Sequence, residues 1–154
     1  MKKVLTIIIS LIVVFGLVSG CGSAPAPKDP TVKMDGQIQP SDAVVGQPVD
    51  LSLTVTNTSK QNIKDLVLIV NGSLMKNVVV TQTSPKAYFT DNQFEYGVLN
   101  AGEKKTFDIT IVAKTAGNLD FGILPSDFNN DSFNFLKDAQ DQDPSLNGSL
   151  TVTP

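Results

Sequence analysis

The 154-residue sequence has no histidine, no tryptophan and no arginine, and its one cysteine is Cys21. Each absence closes off a class of function. Without histidine there is no imidazole base, no Ser-His pair and no histidine metal site, so an enzyme is not expected. With one cysteine no disulfide can form within the chain. With no Trp and two Tyr, a sugar-stacking platform is a poor reading. Lacking Arg and Trp as well, the chain is better suited to a broad or avidity-driven contact than to a compact hot spot. All twelve basic residues are lysine, set against 15 Asp plus Glu, for a net charge of −3. That balance argues against nucleic-acid binding, which needs a basic face to displace counterions, and against a polybasic grip on anionic lipid.

The N-terminus has a different composition. Lys2 and Lys3 precede an apolar run, Val4 to Val18, broken only by Thr6, Ser10 and Gly16, and small residues follow. This is the layout of a secretory signal. At about 1.5 Å per residue the run spans roughly 22 Å as a helix, short of the roughly 30 Å hydrocarbon core of a bilayer. Val18-Ser19-Gly20-Cys21 resembles a bacterial lipobox: an aliphatic residue, two small residues and the lipid-modified cysteine. The resemblance implies cleavage before Cys21 and a diacylglyceryl group, with acyl chains such as palmitate, on its thiol. Loss of Lys2 and Lys3 would leave ten lysines against 15 acidic residues, a net charge of −5. Membrane attachment is then expected through the lipid, with the protein on the extracytoplasmic side, periplasmic or extracellular. Gly22 to Pro30 holds three prolines among small residues and reads as an extended tether. The expected division is a signal peptide over 1–20, lipidated Cys21 and tether over 21–30, and one domain over 31–154.

In that domain the hydrophobic period is two. Val49, Leu51, Leu53 and Val55 alternate with polar residues, and Phe107, Ile109, Ile111 and Ala113 repeat the pattern. Leu66 to Val70 is apolar throughout and reads as a strand near a sheet centre. Val32 with Met34 and Ile38, Val78 to Val80, Phe94 to Val98, Leu119 to Ile123 and Leu150 to Val152 are further candidates. Asn71-Gly72, Ala101-Gly102, Gly117-Asn118 and Asn147-Gly148 supply turn chemistry between them. A single short helix is expected near Ser132 to Ala139. The fold expected is all-β: one antiparallel immunoglobulin-like β-sandwich of 7–9 strands, after an N-terminal signal helix and a flexible tether.

Two turns carry a resemblance. Val45-Gly46-Gln47 opens a strand that closes on Val55-Thr56-Asn57, and Leu99-Asn100-Ala101-Gly102-Glu103 opens another. This is similar to the immunoglobulin-like modules of the CARDB type, which recur in surface and cell-adhesion proteins. The resemblance covers roughly residues 40 to 124 and a last strand at 149 to 153. It implies a non-catalytic interaction or structural module with a protein partner in the envelope. The segment from Pro125 to Pro144 departs from it.

That segment holds the densest chemistry. Asp127, Asn129, Asp131 and Asp138 stand at positions 1, 3, 5 and 12 of a twelve-residue stretch, the spacing with which a calcium loop wraps a hard cation. Position 6, which calls for glycine, is Ser132. Two readings stand: a calcium-stabilised ligand-binding loop, or a solvated acidic loop with no cofactor. Phe128, Phe133 and Phe135 are expected to fold back and plug one end of the sandwich. Tyr88, Phe89, Phe94 and Tyr96 are expected in the core or as cross-strand pairs. Ser73-Leu-Met-Lys76 matches the S-x-x-K of penicillin-binding enzymes but follows a turn in a β context without companion motifs, and reads as chance.

Overall fold

The computed structural model describes residues 29–154. The signal peptide, the lipobox (Val18, Ser19 and Gly20), Cys21 and the tether as far as residue 28 lie outside the described residues. Eleven strands and a one-turn helix follow in order. They are β1 (Val32–Gln39), β2 (Asp42–Val44), β3 (Pro48–Asn57), β4 (Ile63–Gly72), α1 (Leu74–Asn77), β5 (Val78–Ser84), β6 (Tyr88–Thr90), β7 (Gln93–Leu99), β8 (Lys104–Ala113), β9 (Gly117–Asn129), β10 (Ser132–Phe135) and β11 (Leu146–Thr153). Four pair in the order β1-β3-β8-β5, and seven form a second sheet, β2-β11-β9-β4-β7-β6, with β10 also on β9. Every strand pairing is antiparallel except that of β11 with β2.

Alternation builds the core. Val49, Leu51, Leu53 and Val55 of β3 and Phe107, Ile109, Ile111 and Ala113 of β8 point inward from the smaller sheet. They meet Ile63, Leu66, Leu68, Val70, Phe94, Leu99, Phe121, Ile123 and Leu150 from the larger one. Each such side chain contributes about 1.5–3 kcal/mol on burial, so a two-layer sandwich follows from the period-two pattern.

The two recognisable turns sit where the chain is pinned. At Val45-Gly46-Gln47 the chain crosses from β2 in one sheet to β3 in the other. Gly46 has φ +85°, and its N–H donates to the Ala113 carbonyl. Gln47 closes the turn, its N–H donating to the Val44 carbonyl and its side-chain oxygen accepting the Val44 N–H. In the other turn Gly102 has φ +73°, and the Glu103 carboxylate accepts the backbone N–H and side-chain amide of Asn100 at 2.8 and 2.9 Å. The backbone N–H of Asn100, aided by Lys105, holds the Glu103 carboxyl below the ordinary glutamate value.

The structure differs from the sequence expectation in three places. There are eleven strands among the described residues rather than 7–9. The unanticipated ones, β2, β6 and β10, are three or four residues long, too short to show a period, and exist because a longer neighbour offers a free edge. Strand β9 runs six residues beyond Ile123, through Pro125. That proline falls where β11 has ended and β10 has not begun, so a missing N–H is tolerated there. The helix expected near Ser132 to Ala139 is replaced by β10, because Phe133 and Phe135 alternate at period two and pair with Phe128 and Ser126. Among the described residues the one helical turn, α1, lies instead on Leu74–Asn77.

Candidate docking face

The calcium candidates are the first place to look for a site. Asp127 is a strand residue whose Oδ1 accepts the backbone N–H groups of Lys64 and Asp65 at 3.1 and 3.0 Å. It thereby satisfies the amides freed by the irregular start of β4, where pairing with β7 shifts register. Asn129 ends β9, and Asn130 and Asp131 form the tip of a tight hairpin, both with positive φ, 52° and 59°. Two-residue turns of that conformation match the twist of a hairpin. Asp138 lies beyond β10, its Oδ1 accepting the N–H groups of Gln140 and Gln142 at 2.8 and 2.9 Å. The stretch 127–138 is therefore an extended hairpin and not a wrapped twelve-residue loop. Asp127, Asp131 and Asp138 form no metal-holding group; none of three or more His, Cys, Asp or Glu exists among the described residues.

The S-x-x-K match falls on α1. Ser73 Oγ accepts the Asp120 N–H at 3.0 Å, which ties the turn to β9, a structural task. Gly72 before it approaches the Asp120 carbonyl so closely that a Cβ would clash.

The aromatic residues divide. Phe94 is buried and stacks on Phe89, its cross-strand partner, with ring centroids 4.6 Å apart. Tyr96 packs on Phe107 at 4.2 Å. Its hydroxyl is buried with no hydrogen-bond partner, and burial, with the Asp108 charge, pushes its ionisation above the ordinary tyrosine range. Phe128, Phe133 and Phe135 do not plug the sandwich. Phe128 is half-buried with its ring 4.9 Å from Phe133, while Phe133 and Phe135 are 36 % and 52 % exposed. Leu136, not a phenylalanine, enters the core from this segment. Tyr88 is 68 % exposed, also outside the core.

The register shows why these side chains collect together. Residues directly opposite in an antiparallel pair share a face. Tyr88 faces Glu95, Glu95 faces Val67, Val67 faces Ser126, and Ser126 faces Phe135, one row across β6, β7, β4, β9 and β10. A second row runs through Thr90, Gln93, Ile69 and Leu124, and a third joins Phe128 to Phe133. This is the outward face. Leu66, Leu68 and Val70 of β4 belong to the core cluster, whereas Val67 and Ile69, between them, are buried without belonging to it. Val98, exposed on β7, extends the apolar area. In the sequence, the signal for Val67 and Ile69 was the unbroken run Leu66 to Val70.

The outward face of the four-stranded sheet is chemically opposite. Thr110 donates to the Asp50 carboxylate at 2.7 Å, Ser52 to Asp108 at 2.6 Å, and the Thr54 and Thr106 hydroxyls lie 3.1 Å apart. These cross-strand pairs make a polar ladder of the sort a solvated face carries. The polar ladder fills the centre of this face, with the exposed Val79 at its β5 edge.

The architecture is that of an immunoglobulin-like β-sandwich module, two sheets around one core without a catalytic constellation on the residues named above. No protein-family model matches the chain, and no curated protein matches it. Solved structures share the fold. A cohesin module from a family 33 glycoside hydrolase of Clostridium perfringens superposes with a TM-score of 0.52 at 6% identity, covering 80% of this chain and 98% of that one. The cupredoxin domain of amoB from Nitrosocaldus yellowstonii gives 0.53 at 9% identity, covering 80% and 88%. A CARDB domain of a Pyrococcus furiosus protein, solved with di-metal ions, gives 0.48 at 14% identity, covering 80% and 92%.

Proposed function

We propose that this chain is a lipid-anchored protein of the bacterial cell envelope, held on the extracytoplasmic side through Cys21. In this reading it is a non-catalytic module of the CARDB-like surface type that docks on another envelope protein. The docking surface is the part of the outward face of the seven-stranded sheet that β6, β7, β4 and β9 form around Tyr88, Gln93 and Leu124. The observation that carries this is the contrast between the two outer faces. An antiparallel sheet that meets water on one side alternates apolar and polar, and β4 carries Val67 and Ile69 where polar residues belong. Val67 and Ile69 are themselves covered, so what this face offers a partner is the apolar surface around them, Tyr88 at 68 % and Val98 at 53 % exposed with the half-buried Leu124. Exposed apolar surface rimmed by polar groups marks an interaction site. The partner's surface is correspondingly flat and apolar, with a basic side chain opposite Glu95. Anchor, lipobox and tether composition support the location, and the lack of histidine supports the non-catalytic role.

Site-specific photo-crosslinking in cells tests the face. A crosslinker replacing Tyr88, Gln93 or Leu124 is expected to give one discrete protein adduct, and the same group replacing Thr54 or Thr106 on the polar ladder is expected to give none. Equal labelling from both faces, or none from the apolar one, overturns the proposal. The calcium-dependent alternative gains no specific observation from the hairpin geometry.

A further inference from the structure

The β9–β10 hairpin and the point where the chain enters the fold lie at the same end of the sandwich. Val32 donates its N–H to the Lys137 carbonyl just after β10, and Thr31 bridges to Lys137 in parallel. Asp29 and Pro30 line one hollow of about 210 Å³ with Asp127, Asn134, Phe135 and Leu136. The hairpin tip, at Asn130 and Asp131, projects past Lys64, the residue whose N–H is held by Asp127. Phe133 and Phe135 are therefore exposed aromatics at the end from which the tether leaves.

From Cys21 up to Asp29 the sequence runs eight residues, 21–28, Cys21 included. Fully extended they span at most roughly 29 Å. An acyl group on Cys21 would keep this end of the domain within that distance of the bilayer, at a high effective concentration. Phe133, Phe135 and Val98 are exposed apolar side chains there, and Lys60, Lys64 and Lys104 are exposed near them. Acidic groups share this end: Asp127 with Asp29 and Lys64, Asp138 and Asp141 with Pro30 and Thr31, Asp131 at the hairpin tip and Glu103 beside Lys104. Apolar side chains enter the headgroup boundary by burying apolar area. The opposite end carries the β6–β7 hairpin, with Phe89 37 % and Tyr88 68 % exposed, so it is the tether's point of departure that singles out the β9–β10 end.

We propose that the β9–β10 hairpin is a bilayer contact: Phe133 and Phe135 insert into the membrane surface to which the chain is tethered and stand the sandwich upright on it. This fixes the outward sheet face perpendicular to the membrane, where an envelope protein can reach it. The inference rests on the lipid-anchor reading, and the experiment separates the two by supplying the anchor chemically.

The chain beginning at Cys21 is coupled through its thiol to a maleimide lipid in phosphatidylglycerol–phosphatidylcholine vesicles, and attachment is verified by flotation. Because the sequence has no tryptophan, Phe133→Trp and Phe135→Trp each place a single reporter on the hairpin. Val79→Trp, at an exposed position on β5 at the far end, is the control. The expected result is a blue shift and quenching by brominated lipid at positions 133 and 135 and neither at 79. Unquenched emission at 133 and 135 on floated vesicles overturns the proposal, as does equal quenching at all three. A blue shift without bromolipid quenching, the mark of contact between copies of the chain, also overturns it. Whether cells lipidate Cys21 is read separately, from the mass of the protein extracted from membranes, so failure of the anchor reading cannot be mistaken for failure of the contact.

Discussion

Asn57 shows how much one polar side chain holds together at the base of the sandwich. It is fully buried. Its side-chain amide donates to the carbonyls of Gln61 and Asn100 at 2.7 and 3.0 Å, with Leu99 at 3.2 Å. Its oxygen accepts the N–H and hydroxyl of Ser59 at 3.1 and 2.8 Å. Two loops, after β3 and before β8, are thereby fixed to each other. Asn57→Ala leaves the buried Leu99 carbonyl without this donor and unties the two loops, and is expected to cost about 2–3 kcal/mol. Tyr96 is the opposite case, a buried hydroxyl without a partner. Tyr96→Phe removes an unmet desolvation cost and should stabilise by about 1 kcal/mol. Urea unfolding of both variants checks the pair, and loss of stability in Tyr96→Phe would mean that the hydroxyl is hydrogen-bonded to water. In the sequence, Val55-Thr56-Asn57 was legible as the end of a strand. That Asn57 is buried and that Tyr96 is unpartnered was not, because both depend on loops from distant parts of the chain.

Strands long enough to display a period were legible. β3 and β8 each alternate over ten residues, and no helix can bury those side chains on one face. The hairpin at Phe128 to Phe135 was not legible in the sequence: a short helix was expected near Ser132 to Ala139, and the spacing of oxygen side chains carries no information about whether the chain curls or extends. What decides is pairing: β9 offers a free edge beyond β11, and Ser132 to Phe135 takes it. The consequence is measurable. Asp127 and Asp138 each have one oxygen engaged by two backbone N–H groups, and no group of three or more His, Cys, Asp or Glu that could hold a metal exists among the described residues. A melt in excess calcium should match one in chelator, whereas a native-state ligand at a hundredfold excess over its dissociation constant would add about 2.7 kcal/mol. Asp127→Ala should destabilise by about 2 kcal/mol with or without calcium. A calcium-specific rise lost in Asp131→Ala would restore the metal loop. The run Leu66 to Val70 was legible as a central strand, but its second meaning appeared only with the topology. In a two-layer sandwich an antiparallel strand apolar on both sides has one face that nothing in the core covers.

For the molecule as a whole, the question is where the folded unit begins. The core cluster starts at Val32 and ends at Val152. The first backbone ties are the Thr31 carbonyl accepting the Thr58 N–H and the Val32 N–H donating to the Lys137 carbonyl. Residues 22–28 are small residues, prolines and one lysine, a composition that adds reach rather than core. A chain starting at Asp29 should therefore melt with one starting at Gly22, within the ±0.5 kcal/mol or so of neutral surface changes. Starting at Met34 instead deletes Val32, which is fully buried, along with both ties, and should cost about 3 kcal/mol. Equal loss in both shortened chains would mean that residues 22–28 pack on the sandwich, which would shorten the reach available between the domain and Cys21. Equal stability of the first two leaves the tether a spacer, and its length then sets the hairpin's distance from the bilayer without touching the fold.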